Sequence, residues 1–586
     1  MFYDRKETFR IEVISLFIYF FLKKKEIRIL IRFLHVRELT KEMFNHGWNN
    51  YMQHAYPEDE LNPFECKGRG SDKANPLNIN VNDVLGDYSL TLVDTLDTLA
   101  IIGTQQEFED AVNRVIETVS FSQDNKVQVF EVNIRALGGL LSAHLLATDP
   151  AFNRTISGYN NELLSLAKNV ADRLMPAFWA SKRTHIPYPR VNLRYGVPTT
   201  ETTETCTAGA GSLILEFGVL SRLTGDPRYE QAAQLALDNI WQRRSELNLL
   251  GNVIDIQTGQ WIHTASSTGA GIDSIFEYML KAYILFGESK YYTMFDEAYQ
   301  ALMRYVRDRT GYLYRNVHMS NGSLMSYWID SLGAFFSGLQ VLAGDLNGAI
   351  KGHLVYYNLW KKYHALPERF NFYQRTVDVG FYPLRPEFVE STYYLYRATH
   401  DPFYLEIGEM IVKDLNNRTR LPCGFATIGD VTTGRLEDRM ESFMLSETLK
   451  YLYLLFDVDH PLNHMDSNFV FTTEGHILPL SRHYLRSTEA VNEQCPKYHD
   501  SIPGDLDMSS MPYQPVTDYA TQIVGTTAPV LPLSQHGYCA LPYQTLPSKR
   551  IFFMEQQLNK VSGYLAKSLS GLRLELKPQG YFLKRG

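Results

Sequence analysis

Positive charge is not in excess in this chain: 57 Lys and Arg stand against 65 Asp and Glu, a net charge of −8. A polyanion binder needs a basic patch or stripe, so the composition gives no support for a nucleic-acid partner. Cysteine is scarce. The five, Cys66, Cys206, Cys423, Cys495 and Cys539, include no CxxC pair and no zinc-like spacing. An odd number allows at most two internal disulfides and leaves one thiol over. A long apolar run is missing near the start, where Ile11–Leu22 spans about a dozen residues against the roughly twenty of a membrane-spanning helix. No DDxxD-like run is present, which removes the aspartates that a terpene synthase uses for diphosphate-bound magnesium.

What is present is core-forming material. Apolar residues make up 45% of the 586 and aromatics 13%, which argues against a disordered chain. The rings suit walls that stack on sugars, and they suit a helical core equally. Residues 1–36 read as a signal or signal-anchor segment. Arg and Lys precede the apolar run and Lys23-Lys-Lys25 follow it, with no small-residue cleavage site between; the alternative is a buried helix. Three sequons, at Asn153, Asn321 and Asn417, are compatible with the secretory route. The chain closes on Leu583-Lys-Arg-Gly586 rather than an ER-retrieval tetrapeptide.

From Arg37 to about Thr473 the pattern is helical and repeats. Polar turns begin at Gly103, Thr148, Gly225, Gly287, Gly344, His400 and Asp457, roughly 45 to 80 residues apart, as in an array of helical hairpins. Gly or Asp-Pro stops one helix, and an aromatic opens the next. Helices such as Ser212–Leu223 and Ser442–Phe456 are apolar around much of their circumference, as an inner ring covered by an outer ring would be. The expected fold is an all-α (α/α)7 toroid over residues 37–480. Residues 481–586 read as an irregular, partly disordered tail, with a short amphipathic helical stretch at Phe552–Leu569.

Carboxylates recur at predicted helix entrances: Glu131, Asp273, Glu387 with Glu390, and Glu441, and a further one, Glu474, lies in Phe471-Thr-Thr-Glu-Gly-His476. Carboxylates favour helix N-termini in any case. Gly209-Ala-Gly-Ser-Leu213 and Gly269-Ala-Gly-Ile-Asp273 are two openings of one repeat, and the first carries Leu where the second carries Asp. The architecture therefore does not demand Asp273. Arg135 stands one helical turn from Glu131 and can hold its carboxylate or a substrate oxygen. Carboxylates crowded round one cavity do acid–base work, as glycoside hydrolysis requires, or hold a hard cation through oxygen ligands.

The motifs Asp59-Glu-Leu61, Leu90-Thr-Leu-Val-Asp-Thr-Leu-Asp-Thr98, Val129-Phe-Glu131, Gly269–Asp273, Leu384-Arg-Pro-Glu387, Met440-Glu-Ser442, Glu447-Thr-Leu-Lys-Tyr451 and Thr472-Thr-Glu-Gly-His476 resemble those of the class I α-1,2-mannosidases, glycoside hydrolase family 47. Tyr56–Pro63 followed by Cys66-Lys-Gly-Arg-Gly70 resembles the ER degradation-enhancing α-mannosidase-like branch (EDEM). The resemblance covers about residues 37–480. It implies an (α/α)7 barrel that hydrolyses α-1,2-linked mannose with inversion, using Ca2+ at the barrel floor. Glu131 would be the general acid, Glu387 the general base on water and Asp273 the third catalytic carboxylate, with inversion leaving about 6.5–9.5 Å between acid and base. Arg135, Arg385 and Glu390 would meet the substrate. Thr473 would bind Ca2+, with Glu441 and Glu474 holding its waters.

The same resemblance implies a Cys66–Cys423 disulfide, which suits an oxidising lumen. It also implies high-mannose N-glycans on misfolded glycoproteins as substrates, a thiol–disulfide oxidoreductase as partner, and residence in the endoplasmic reticulum lumen, soluble or N-terminally anchored. A mannose-binding lectin or chaperone without turnover is the alternative. The matched catalytic acids, all present, lean against it.

Overall fold

Each polar turn stops one helix and starts the next for a local reason. Thr104 caps the helix Gln105–Thr118 in a full capping box with Glu107. Asp149 and Asp401 accept from Ala151 and Phe403 N–H, each with a proline at the first helical position. Gly225 ends its helix at φ 73°, which a side chain would resist. The computed structural model describes residues 31–465 and 468–481, together with strand residues 558–561, 563–566, 572–577 and 580–585. Ile11–Leu22, Cys495 and Cys539 lie outside the described residues.

Six of the seven turns join an inner helix to an outer one, the turn at Asp457 follows the last inner helix, and the result is an (α/α)7 barrel. Along the chain the pairs are residues 90–102 with Gln105–Thr118, Val129–Thr148 with Glu162–Ala180, residues 207–224 with Arg228–Trp241, Asp273–Phe286 with residues 289–306, Leu332–Leu342 with Leu346–Tyr363, and Glu387–Thr399 with Pro402–Arg418. The seventh inner helix, residues 444–456, takes as its outer partner the first described helix, residues 31–50. Phe33 stacks on Phe456 at 5.9 Å and Arg37 bonds Asp457 at 3.0 Å. The ring then closes where Leu449–Phe456 meets Leu96–Ile102.

Burial follows the two layers. Gln105–Thr118 buries Phe108, Ala111, Val112 and Val115, one stripe of an amphipathic outer helix. Val129–Thr148, the one described helix long and apolar enough to cross a membrane, is an inner helix and is mostly buried in the ring.

Several expectations shift. Phe33 and Val36 are buried in the helix that continues past residue 37, so residues 31–36 belong structurally to the barrel. Inner helices are interrupted: a π-helical turn occupies Val132–Leu137 and another Met444–Thr448, while Thr207–Gly211 and Ile214–Thr224 replace a single helix at Ser212–Leu223. The connections from outer to inner helices are long and carry small antiparallel sheets, such as Trp328–Asp330 with Arg369–Asn371 and Thr376–Val379. Their strands of a few residues pair across different connections, so no local periodicity marks them. Within Phe552–Leu569, Leu558–Val561 and Gly563–Ala566 pair as antiparallel strands rather than forming a helix. A second hairpin, Leu572–Lys577 with Gly580–Arg585, follows from the alternation of Leu572, Leu574 and Leu576.

One hairpin fixes the barrel floor. Phe469–Phe471 and Ile477–Pro479 pair inside the ring against Val129–Thr148 and Asp273–Phe286. Val470, Phe471, Ile477 and Leu478 are all buried there. A disulfide, Cys66–Cys423 with Cα atoms 5.5 Å apart, ties the N-terminal region to the connection before the seventh inner helix. Cys206 is a free thiol. The three sequon asparagines are exposed.

Candidate active site

Because the inner-to-outer turns are short, the long connections all lie at the other end of the barrel, where inner helices begin. Asp273 and Glu387 are the first residues of their helices, and Glu131 ends the first turn of its own. A cavity of about 280 Å³ opens between them, lined also by Arg135, Arg385, Glu390, Glu447, Thr473 and Glu474.

Arg135 is the centre of one half. It lies in the π-helical turn directly after Glu131 and is 6% exposed. Its Nε donates to Glu131 Oε2 at 2.8 Å, and its Nη1 donates to Ser442 Oγ at 3.1 Å and lies 2.9 Å from Glu474 Oε1. One guanidinium thus joins the second inner helix, the start of the seventh and the floor hairpin. Its charged form is stabilised well beyond the ordinary range by Glu474 and Glu131, which outweigh burial.

The other half is built on Leu384-Arg-Pro-Glu387. Leu384 is buried at φ 69°, a left-handed conformation that is uncommon for leucine, and its carbonyl accepts from Thr448 Oγ1 at 2.7 Å. The strain sits three residues before a helix that starts at once on Glu387. Arg385 grips Glu368 through two hydrogen bonds of 2.8 and 2.7 Å and stands 3.9 Å from Glu387. Burial pushes the Glu387 carboxyl up to about 8 against the pull of Arg385. Asp273 rises to about 7, from burial first and then from Asp330 and Glu277. Glu390 rises to about 8, again from burial, opposed by Lys281, whose Nζ is 3.8 Å away and is also paired with Glu277.

The floor of the cavity is the tip of the hairpin, Thr472-Thr473-Glu474-Gly475. Gly475 takes φ 66°, and a Cβ there would meet Glu447 Cγ at 3.0 Å, so glycine is required. Below it Lys450 Nζ donates to the Gly475 carbonyl at 2.8 Å and to Asp97 at 2.9 Å. His476 sits between Asp94, at 3.1 Å, and Asp97, at 3.3 Å. Asp97 holds the imidazole's proton up to about 9 despite burial.

Glu441 is not brought to the cavity. Its carboxylate is ion-paired with Arg439 beside the buried Glu60, whose proton is held up to about 8 by burial and by Glu441. The acid that arrives instead is Glu447, six residues on and within the π-helical turn Met444–Thr448. Sequence reasoning contained Glu447 in a motif and gave it no role. Asp330, Glu368 and Glu277 were also missed, and of these only Glu277 had a signal, its i+4 spacing from Asp273.

The donor set fits a hard cation. Glu447 and Glu474 are held protonated far above the carboxylate range, by burial and by carboxylates facing one another: Glu474, Glu387 and Glu390 raise Glu447, and Asp94 and Glu131 raise Glu474. Glu474 Oε1 is buried without an aligned hydrogen bond. Such a set is rich in oxygen, as calcium prefers, and its carboxyls outnumber the one guanidinium, Arg135, that reaches Glu474. Among the described residues no three His, Cys, Asp or Glu side chains gather closely enough to hold an ion alone. Direct ligation would fall on Thr473 and on water.

A closed helical barrel with an axial, carboxylate-lined cavity places the molecule among the (α/α)-barrel proteins. A profile described as Glycosyl hydrolase family 47 matches residues 43–480, and the chain belongs to that family. It is 46% identical over 525 residues to ER degradation-enhancing alpha-mannosidase-like protein 1 of Schizosaccharomyces pombe, covering 87% of this chain and 66% of that protein. It is 48% identical to Alpha-mannosidase I MNS5 of Arabidopsis thaliana, covering 75% and 76% of the two. Against ER degradation-enhancing alpha-mannosidase-like protein 3 of Xenopus laevis, at 46% identity, it spans 52% of the relative's length. Among solved structures, alpha-1,2-mannosidase from Trichoderma reesei superposes with a TM-score of 0.68 at 27% identity, covering 76% of this chain and 99% of that one.

Proposed function

We propose that the chain is an α-1,2-mannosidase of the endoplasmic reticulum lumen, soluble or N-terminally anchored, that trims high-mannose N-glycans on misfolded glycoproteins and so directs them to degradation. The observation that carries this reading is the convergence of Glu131, Asp273 and Glu387, from the entrances of three inner helices, on one cavity. Family membership and the names of the relatives support it. An oxidoreductase of the lumen is the partner that the Cys66–Cys423 disulfide would meet.

In the proposed reaction Glu131 donates its proton to the departing glycosidic oxygen, and Arg135 holds that carboxyl in place. Glu387 takes a proton from the water that attacks the anomeric carbon from the opposite face, so configuration inverts. Asp273 is the third carboxylate beside the reacting centre. Arg385, positioned by Glu368, and Glu390 orient sugar hydroxyls. A base must release its proton at the working pH, and Glu387 on its own keeps it to about 8. Calcium, held by Thr473 with Glu474 and Glu447 through water, would supply positive charge that lowers neighbouring carboxyls and orients sugar hydroxyls.

The test is mannose release from a high-mannose N-glycan, free and on a denatured glycoprotein, with calcium and with chelator. Calcium-dependent release lost in Glu131→Gln and Glu387→Gln is expected. Glycan binding without release on either substrate would turn the protein into a lectin.

A further inference from the structure

The cavity is too small for a whole high-mannose glycan. At about 280 Å³ it is at the small end of ligand pockets, so the rest of a branched oligosaccharide must lie on the rim. One part of the rim is made of flat rings. The strands Trp328–Asp330 and Arg369–Asn371 pair antiparallel, Trp328 against Asn371 and Asp330 against Arg369. Their inner end belongs to the site. Asp330 acts on Asp273, and Glu368, one residue before the second strand, holds Arg385 and accepts from Ser331 Oγ at 3.0 Å.

Following these strands outward, the side chains become aromatic. Arg369 lies over the Trp328 ring at 3.9 Å. Tyr327 and Tyr373 pack with ring centroids 5.0 Å apart and are 42% and 51% exposed. Phe372 N–H donates to the Tyr327 carbonyl at 2.9 Å and locks the two segments together. Tyr327 is three residues from Asp330, about 10 Å along a strand. Two exposed rings packed against each other, rather than scattered singly, make a contact surface at that distance from the site.

We propose that Tyr327 and Tyr373, with Trp328 backed by Arg369, form an outer subsite that stacks on sugar rings of the oligosaccharide beyond the residue being cleaved. The proposal rests on the mannosidase reading for the identity of its ligand. Aromatic faces meet the C–H faces of a pyranose, while tyrosine hydroxyls and the guanidinium of Arg369 offer polar partners to hydroxyls. The surface is a polar-edged aromatic pair carried on the same strands whose inner ends act on the site, which suits a neutral carbohydrate better than an apolar polypeptide segment.

The test compares binding of α-1,2-mannobiose and of a free high-mannose oligosaccharide to the Glu387→Gln chain, with and without Tyr327→Ala/Tyr373→Ala. The double change should weaken the oligosaccharide about tenfold and leave mannobiose unchanged. Tyr327→Phe/Tyr373→Phe, which keeps the rings, should restore most of the loss. Unchanged oligosaccharide affinity overturns the subsite, and so does equal weakening of both ligands. A loss seen only with a denatured glycoprotein assigns the surface to polypeptide and overturns it too. Failure of the unsubstituted chain to release mannose counts against the mannosidase reading alone, because the binding comparison needs no turnover.

Discussion

Single side chains in this molecule differ sharply in what they hold up. Lys450 and Asp97 are completely buried and pair beneath the cavity floor. Lys450→Met removes one of the two cationic partners of buried Asp97, leaving His476, and strips the Gly475 carbonyl of its donor, at a cost of about 3 kcal/mol. Urea unfolding should show that loss, while Arg435→Met, at a pair exposed to water, should cost under about 1 kcal/mol. A similar contrast separates two glutamates. Glu447 lines the cavity and Glu441 is taken up by Arg439. Glu447→Gln should weaken calcium binding about tenfold or more and Glu441→Gln by no more than about threefold, as read by calorimetry. Which of the two faces the axis was not legible in sequence. A regular helix through Ser442–Phe456 gives one facing, and the π-helical turn at Met444–Thr448 gives another. Asp273, by comparison, was legible, because the repeat offered Leu213 at the same place.

At the scale of elements, the inner helices deliver carboxylates to a place where they keep their protons. Asp273 is raised to about 7, and Glu387 and Glu390 to about 8, against about 4 in the unfolded chain. Groups raised in this way bind more protons folded than unfolded, so the stability they contribute is fully present below about pH 4 and is lost as pH rises through 7 and 8. His476, raised to about 9, adds to the same decline at a higher pH. The calcium-free protein should therefore lose Tm between about pH 5 and 8, and calcium should return it most at the alkaline end. A Tm that climbs over that range without calcium would contradict this electrostatic picture. The turns that place these helices were readable one by one, since Asp caps and proline starts are local chemistry. The small sheets at the mouth were not, because residues such as Lys126 and Asn192 pair across 66 positions in strands of three.

At the scale of the whole molecule, closure depends on the two ends of the barrel meeting. Residues 31–50 cover the seventh inner helix, and the Cys66–Cys423 bond spans 357 residues. Removing that bond with Cys66→Ser should cost about 2–4 kcal/mol and lower Tm, whereas Cys206→Ser, at a free thiol, should not lower it comparably. The seven turns that set the barrel's order were visible in sequence, although the one at Asp457 ends the last inner helix rather than closing a hairpin. The role of the first helix as the last outer partner was not, since that pairing is between distant parts of the chain. What the closed ring achieves is an arrangement of Glu131 and Glu387 about one axial cavity, and the proposal that they act as acid and water-activating base is the centre of the account. The most direct measurement is proton NMR of the mannose first released from an α-1,2-linked substrate, before mutarotation. The account predicts β-mannose from the unsubstituted chain and none from Glu387→Gln. Release of α-mannose first would mean that configuration is retained and would contradict the role given to Glu387.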